Sequence, residues 1–352
     1  MKDRNDYFNS SGVSRSLLVK LLDHPRKVKM MMDGVYADQT SDALEKGSAF
    51  DSLMFDTRQE FNSKYRIAAT ANPFPQRNTN KGKFACECES IVKQMIEADE
   101  FFDIDNVYVK AYADSGIKNP DIRTSIKEFE EAGGRAYLEE LYANAKFITL
   151  SQEEFNGLSA MKESLMSHEN ISHFFCDSVP EDHRVLKGND EMLYQVDVRW
   201  QQEDLECKAL LDIVSIDHER RVITGIDLKT TSFTSADTTG SILKFNYHYQ
   251  AAWYRLALEA FAAQRFEGLD YTVSDQFHFI FVYTDTLYPP TIFTMSSHDM
   301  KCARDGGHRY GRPVKGICQL LSDLKWHIDH DAWDYSRDTY ENGTLISTIY
   351  DR

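Results

Sequence analysis

Long apolar runs are missing from this chain. No stretch approaches the ~18–20 residues of a membrane span, and the nearest, Ala251 to Ala263, is broken by Arg255 and Glu259. The opening MKDRNDYFNSSG is polar and charged, so no secretory signal is expected there. Positive charge is also scarce: 40 Lys and Arg stand against 56 Asp and Glu, a formal charge of −16. That excludes a general electrostatic grip on nucleic acid, and any such binding must come from a local basic groove. Prolines number 8 and glycines 17, and no tract of them separates independent domains. One domain over 1–352 is therefore expected, with a helical part over about 1–175, a core sheet over about 190–300 and a helical end over 301–352. The six cysteines, at 86, 88, 176, 207, 302 and 318, complete neither a zinc pattern nor an iron–sulfur cluster. Reduced, structural thiols are expected.

What remains is an ordinary globular composition, 42% hydrophobic and 27% charged, long enough for a sizeable core. Val13, Leu17, Leu18, Leu21 and Leu22 recur at helical spacing, with Ser14 or Ser16 as caps and Pro25 as the end or kink. Residues 41–55, 84–102 and 121–145 also read as helices, and 69–82 as a long exposed loop. A Ser-x-x-Glu capping box opens a helix over 151–171. Then the period changes. Residues 193–200, 208–214 and 222–228 alternate and are separated by short turns, which predicts a three-stranded meander. A helix over 249–263, strands over 276–283 and 291–295, and a helix over 316–329 follow. Helices first, then a small sheet, imply an α+β or mixed α/β fold.

The chemistry concentrates in CKALLDIVSIDHERRVITGIDLKTTSF, residues 207–233. Asp227 and Lys229 stand two apart on one predicted strand and share a face. The preceding hairpin can bring Asp212 beside them. Two carboxylates suit a hard divalent cation, since Mg2+ takes one or two of them plus waters and phosphate oxygens. A lysine there can serve the attacking water and offset charge on a phosphorane. An Asp-x-Lys alone is more often a solvated face, and an isolated Asp212 is often a turn-former.

The ordered set Asp212, Asp227-Leu228-Lys229 and Gln250-x-x-x-Tyr254 resembles the PD-(D/E)XK nuclease core of RecB-like nucleases. More narrowly, the chain resembles the phage and prophage exonuclease VIII (RecE-type) family over nearly its whole length. Val13–Leu17 with His24-Pro25, Gly47-Ser48-Ala49, Ile148–Glu154, Glu191, Cys207–Asp212, Tyr247–Tyr254, Pro289-Pro290 and Trp333-x-Tyr335 match in the same order. The resemblance implies a restriction-endonuclease-like core, a small mixed sheet flanked by helices. It makes Asp212, Asp227 and the Leu228 carbonyl the ligands of Mg2+, which Mn2+ can replace. Lys229 would serve the water, and Gln250 and Tyr254 would orient DNA or the site, or simply dock their helix. Glu191 would touch the metal through water or be a surface acid. Ser14, Arg15 and Ser16 would grip a terminal phosphate or be a cap and an exposed charge.

Three positions depart from the pattern. Asp51 stands where the family has a histidine in the metal shell, Leu211 where a proline often precedes the first aspartate, and Thr284-Asp285 where a glutamate is frequent. The function implied is a Mg2+-dependent exonuclease acting on double-stranded DNA ends, 5′ to 3′, for phage-type recombination in a bacterial cytoplasm. A ring-shaped homo-oligomer and a single-strand annealing protein are the implied partners, with no membrane. Lys208, Arg220, Arg221, Lys229, Lys244 and Arg255 would build a basic lining. The competing readings are a catalytically decayed nuclease fold that binds DNA ends or a partner, and a RecB-like endonuclease or single-strand nuclease.

Overall fold

A computed structural model describes Tyr7 and residues 10–36, 41–234, 238–309 and 311–343. The chain gathers into two compact units, one of residues 58–159 and one of 1–57 with 160–352. The sequence shows no linker between them, and none is needed: the second boundary falls inside the helix Gln152–Ser167.

In the 58–159 unit, the helices Asn80–Glu97, Ile104–Ser115, Ile122–Glu131 and Gly134–Ala143 close over a core of Phe84, Cys88, Val92, Tyr108, Phe129 and Leu138. Strand β1 (Tyr65–Ile67) pairs in parallel with β2 (Ile148–Leu150). The expected loop is shorter than 69–82, because Thr79 caps a helix that begins at Asn80. It is also tied down: Ala69 and Thr70 donate backbone N–H groups to Glu140 at 2.8 and 2.9 Å, and Asn72 donates to Glu89 at 2.8 Å. All six cysteines are free.

The larger unit is built on a mixed sheet. Its strands are β3 (Arg184–Lys187), β4 (Asp190–Gln202), β5 (Leu205–Asp217), β6 (Val222–Thr231), β7 (Thr272–Val273), β8 (Phe277–Tyr283) and β9 (Thr291–Met295). They lie in the order β3-β4-β5-β6-β8-β9, with β7 beside β6. β4, β5 and β6 form the three-stranded antiparallel meander that alternation predicts, and β3, which the sequence did not announce, pairs with β4. β8 runs parallel to β6, a pairing that needs a crossover. The helix Tyr247–Arg265 lies on that crossover. It buries Ala252, Trp253 and Ala257 against Leu211, Val214 and Ile223, and Ala251 with Phe277 and Phe279. Gly225 lets it lie close, since a Cβ there would meet Phe277 and Leu258 at 2.6 and 2.8 Å. The fold is thus a mixed α/β sheet flanked by helices, as expected.

The N-terminal segment adds to the sheet. Val13 bridges Cys207 in parallel, with Val13 N–H donating to the Glu206 carbonyl at 2.8 Å and Lys208 N–H to the Val13 carbonyl at 2.9 Å. Pro25 starts a helix, Pro25–Met32, where the sequence suggested only an end or kink. The ring suits the first helical position, whose N–H has no partner in the helix. The Ser151–Glu154 capping box is present: Ser151 N–H donates to the Glu154 carboxylate at 2.8 Å and Glu154 N–H to Ser151 Oγ at 3.1 Å. The helix Ser297–Asp305 went unforeseen, because it is mostly polar and buries only Met300 and Ala303. Among the described residues no helix is long and apolar enough to cross a membrane.

Candidate active site

The site forms where two strands part. The β5–β6 ladder ends at the pair Ile213–Ile226, and the next residues across would be Asp212 and Asp227. Asp212 turns its carboxylate into the opening, and Oδ2 accepts the Leu228 N–H at 3.0 Å. On its other side, Gln195 interrupts the β4–β5 pairing between Tyr194–Ile213 and Val196–Leu211. With φ at +51°, Gln195 donates its side-chain amide to Asp212 Oδ1 at 3.0 Å. Asp227 Oδ1 accepts from Gln250 Nε2 at 2.8 Å, and Oδ2 lies 2.5 Å from Lys229 Nζ. Gln250 Nε2 also donates to the Tyr254 hydroxyl at 3.0 Å. Asp212, Asp227, Lys229, Gln250 and Tyr254, singled out in the sequence, are therefore in one cluster. Gln195 joins them without any sequence signal.

Burial sets the electrostatics. Asp227 is only 1% exposed, and its carboxyl is pushed up to about 7, first by burial and then by Asp212, against the pull of Lys229 and Arg15. Burial alone would lower the Lys229 ammonium, but Asp227 and Asp212 outweigh it and raise it. The Tyr254 hydroxyl is raised by burial, Asp227 and Asp212, so it stays neutral. Arg15 is close enough for Asp227, Tyr254 and Tyr247 to act on it, though burial lowers it overall.

Several expected residues are placed otherwise. Both Glu191 oxygens are engaged, Oε1 with Arg184 at 2.5 Å and Arg265 at 2.6 Å, Oε2 with His218 at 2.9 Å. Three cationic or polar partners, from β3, the turn after β5 and the end of the helix Tyr247–Arg265, thus meet on one buried acid. Arg15 donates to the carbonyls of Phe245 and Asn246 at 2.6 and 2.7 Å. Ser14 accepts from Leu17 N–H as a cap, and Ser16 is exposed. The helix Asp42–Phe55 approaches β6, since a Cβ on Gly47 would lie 3.3 Å from Thr230 Oγ1, and Asp51 follows one turn later. Among the described residues, no three His, Cys, Asp or Glu side chains gather to hold an ion, so neither Asp51 nor Glu191 completes such a group with Asp212 and Asp227.

The six basic residues expected in a lining each have a partner within the chain. Lys208 donates to the carbonyls of Tyr7 and Ser10 at 2.9 and 2.6 Å. Arg220 pairs with Asp217, Arg221 with Asp270, and Arg255 with Glu259 and Asp275. Lys229 faces the acids, and Lys244 lies over aromatic rings.

No family model and no curated protein matches this chain. A crystal structure named "Putative exonuclease", from Eubacterium rectale, is similar at a TM-score of 0.41 and 12% identity, over 99% of this chain and 96% of that one. Likeness of that degree decides nothing about a reaction.

The donor set itself suits a hard divalent cation. Asp212 and Asp227 offer oxygen only, and each carboxylate oxygen carries one neighbour, Lys229 in the case of Asp227 Oδ2, and keeps a second lone pair. Mg2+ needs no more than one or two protein carboxylates. The residues present fit it, with two acids rather than three.

Proposed function

We propose that the chain is a Mg2+-dependent deoxyribonuclease that hydrolyses duplex DNA from its ends, 5′ to 3′, leaving single strands for recombination by annealing. One observation carries this reading: two buried carboxylates stand with a partly buried lysine where β5 and β6 separate. Buried charge is costly, and apolar residues of similar size would serve a purely structural role at least as well. A cluster of this composition in a strand opening is what a metal-assisted hydrolase requires.

Asp212 and Asp227, with the Leu228 carbonyl, would hold Mg2+ or Mn2+. When bound, such an ion supplies Lewis-acid stabilisation of the phosphate and an activated water. Lys229 offsets negative charge as it builds on the phosphate and orients the nucleophilic water. Gln250 fixes the Asp227 carboxylate, and Tyr254 fixes Gln250. Gln195 does for Asp212 what Gln250 does for Asp227. In this reading the partners are duplex ends, further copies of the chain in a ring, and an annealing protein that takes the single strand.

Digestion of end-labelled linear duplex, with and without a 5′-phosphate, tests the proposal. We expect Mg2+-dependent loss of the linear substrate from its 5′ ends and none of covalently closed circles. Cleavage of circles would instead mark an endonuclease. Binding without cleavage would mark a fold that has lost its chemistry, with Asp51 in place of the family histidine as the first suspect.

A further inference from the structure

A file of aromatic rings leads away from the catalytic lysine to the surface. Lys229 Nζ lies 5.1 Å from the centre of the Tyr247 ring. Tyr247 meets Phe245 at 5.6 Å between centroids, and Phe245 meets Phe233 at 6.2 Å. Behind them, Tyr247 stacks on Phe279 at 5.6 Å, so the inner end of the file rests on the core. The outer end does not: Phe233 is 36% and Phe245 41% exposed. Large apolar rings left open side by side forgo the stabilisation of burial, and neighbouring open rings mark an interaction surface.

The file is held in place and charged. Arg15 donates to the carbonyls of Phe245 and Asn246, which fixes the turn between the helices Thr238–Lys244 and Tyr247–Arg265. Lys244 Nζ lies 5.1 Å from the Phe233 ring centre and 5.3 Å from that of Phe245. On a chain of formal charge −16, this is a place where cations and open rings alternate and end at the acids.

We infer that Phe233, Phe245 and Tyr247, with Lys244, form a stacking platform for the unpaired nucleotides of a DNA strand whose phosphates run toward Asp227 and Lys229. Nucleobases present apolar faces to the rings, and the phosphates between them meet Lys244 and then Lys229. Rings with cations at their margins are how single strands are held without reading sequence. A covering protein segment would need no cation at each step. The inference rests on the proposed nuclease reading and specifies its substrate as a strand already unpaired over its last nucleotides.

The test is fluorescence anisotropy of a labelled dT12 oligonucleotide with the full chain in chelator, so that binding is read without cleavage. Phe245→Leu is expected to weaken binding roughly tenfold, and Phe245→Tyr to keep it near wild type, because stacking and not apolar bulk is lost. Lys244→Ala should reduce the slope of log affinity against log salt by about 0.7, as one phosphate contact on a single strand requires. Melting curves check that each variant is folded. Equal affinity of Phe245→Leu and wild type would overturn the platform, as would a Lys244→Ala slope that matches wild type. No dT12 binding by the wild type would also overturn it and return the rings to a protein partner. The two proposals fail separately: ring-dependent dT12 binding with no hydrolysis in Mg2+ sinks only the nuclease reading. Hydrolysis with ring-independent binding sinks only the platform.

Discussion

Glu191→Ala separates an anchor from a ligand. The Glu191 side chain is 1% exposed, while Arg184 is 44%, Arg265 33% and His218 33% exposed. Removing one member of a buried ion pair typically costs ~3–5 kcal/mol, because its partners are left uncompensated. Here the three partners already reach solvent and can rehydrate, so we discount the loss to ~2–3 kcal/mol. For a unit of this size each kcal/mol is worth ~2–4 °C, and the melting temperature should fall by roughly 5–10 °C. Burial raises the Glu191 carboxyl, but His218, Arg265 and Arg184 outweigh it and lower it overall. Its stabilisation is therefore full above the unfolded value, ~4.3, and is lost as pH falls through the lower folded value. The gap between wild type and variant should be widest at neutral pH and close in acid. Melting followed by circular dichroism from pH 3 to 8, with cleavage measured at 20 °C in parallel, reads both properties. Unchanged melting would refute the anchor. Intact melting with cleavage abolished would show that Glu191 serves the metal after all.

Asp227→Ala or Lys229→Ala should each lower cleavage at saturating Mg2+ by at least a hundredfold in a folded protein, since one removes a ligand and the other the charge at the water; both retaining more than a tenth of the wild-type rate would refute their roles. Asp51→Ala should leave the Mg2+ dependence and the rate of cleavage unchanged, since Asp51 does not gather with Asp212 and Asp227, and a shifted titration curve would return it to the ion. The metal-free protein should lose stability between about pH 4 and about pH 7, because the Asp227 carboxyl is raised to about 7 in the fold and the native state then binds the extra proton. Asp227→Asn should flatten that pH dependence, and parallel curves for the two proteins would exclude the effect. Ca2+ should bind without supporting turnover, as its looser coordination misplaces the water, and full turnover in Ca2+ or in excess chelator would contradict a Mg2+ centre.

Much of the sheet was legible because its strands announce themselves by alternation. Residues 291–295 and the meander match the fold within a few positions. The pairing of Asp227 with Lys229 was legible because a period of two is a property of any strand. Gln195 was not. Its place beside Asp212 depends on a left-handed backbone and a gap in the ladder, and neither leaves a trace in an alternating sequence. The partners of Glu191 were hidden for a related reason: an acid at a strand start looks the same whether it faces water or three side chains from β3, a turn and the far end of a helix. Lys208 read as part of a basic lining, yet β5 lacks β6 beside it at that point, and the N-terminal segment fills the edge and accepts from its ammonium. Those outcomes are set by register, which single residues do not encode.

The bridge between Val13 and Cys207 closes a loop of about 190 residues, and the 58–159 unit supplies about half of it. Closure entropy grows only logarithmically, so that insertion raises the cost of docking the N-terminal arm by ~0.6 kcal/mol. The larger burden falls on timing. During synthesis the arm that carries Arg15 emerges before the 58–159 unit, but the strand edge it joins is made only after the whole insertion. At ~5–20 residues per second, the arm waits ~10–40 seconds for its partner. Throughout that wait Leu18, buried in the finished fold, is open to water and to any chaperone that binds exposed apolar segments.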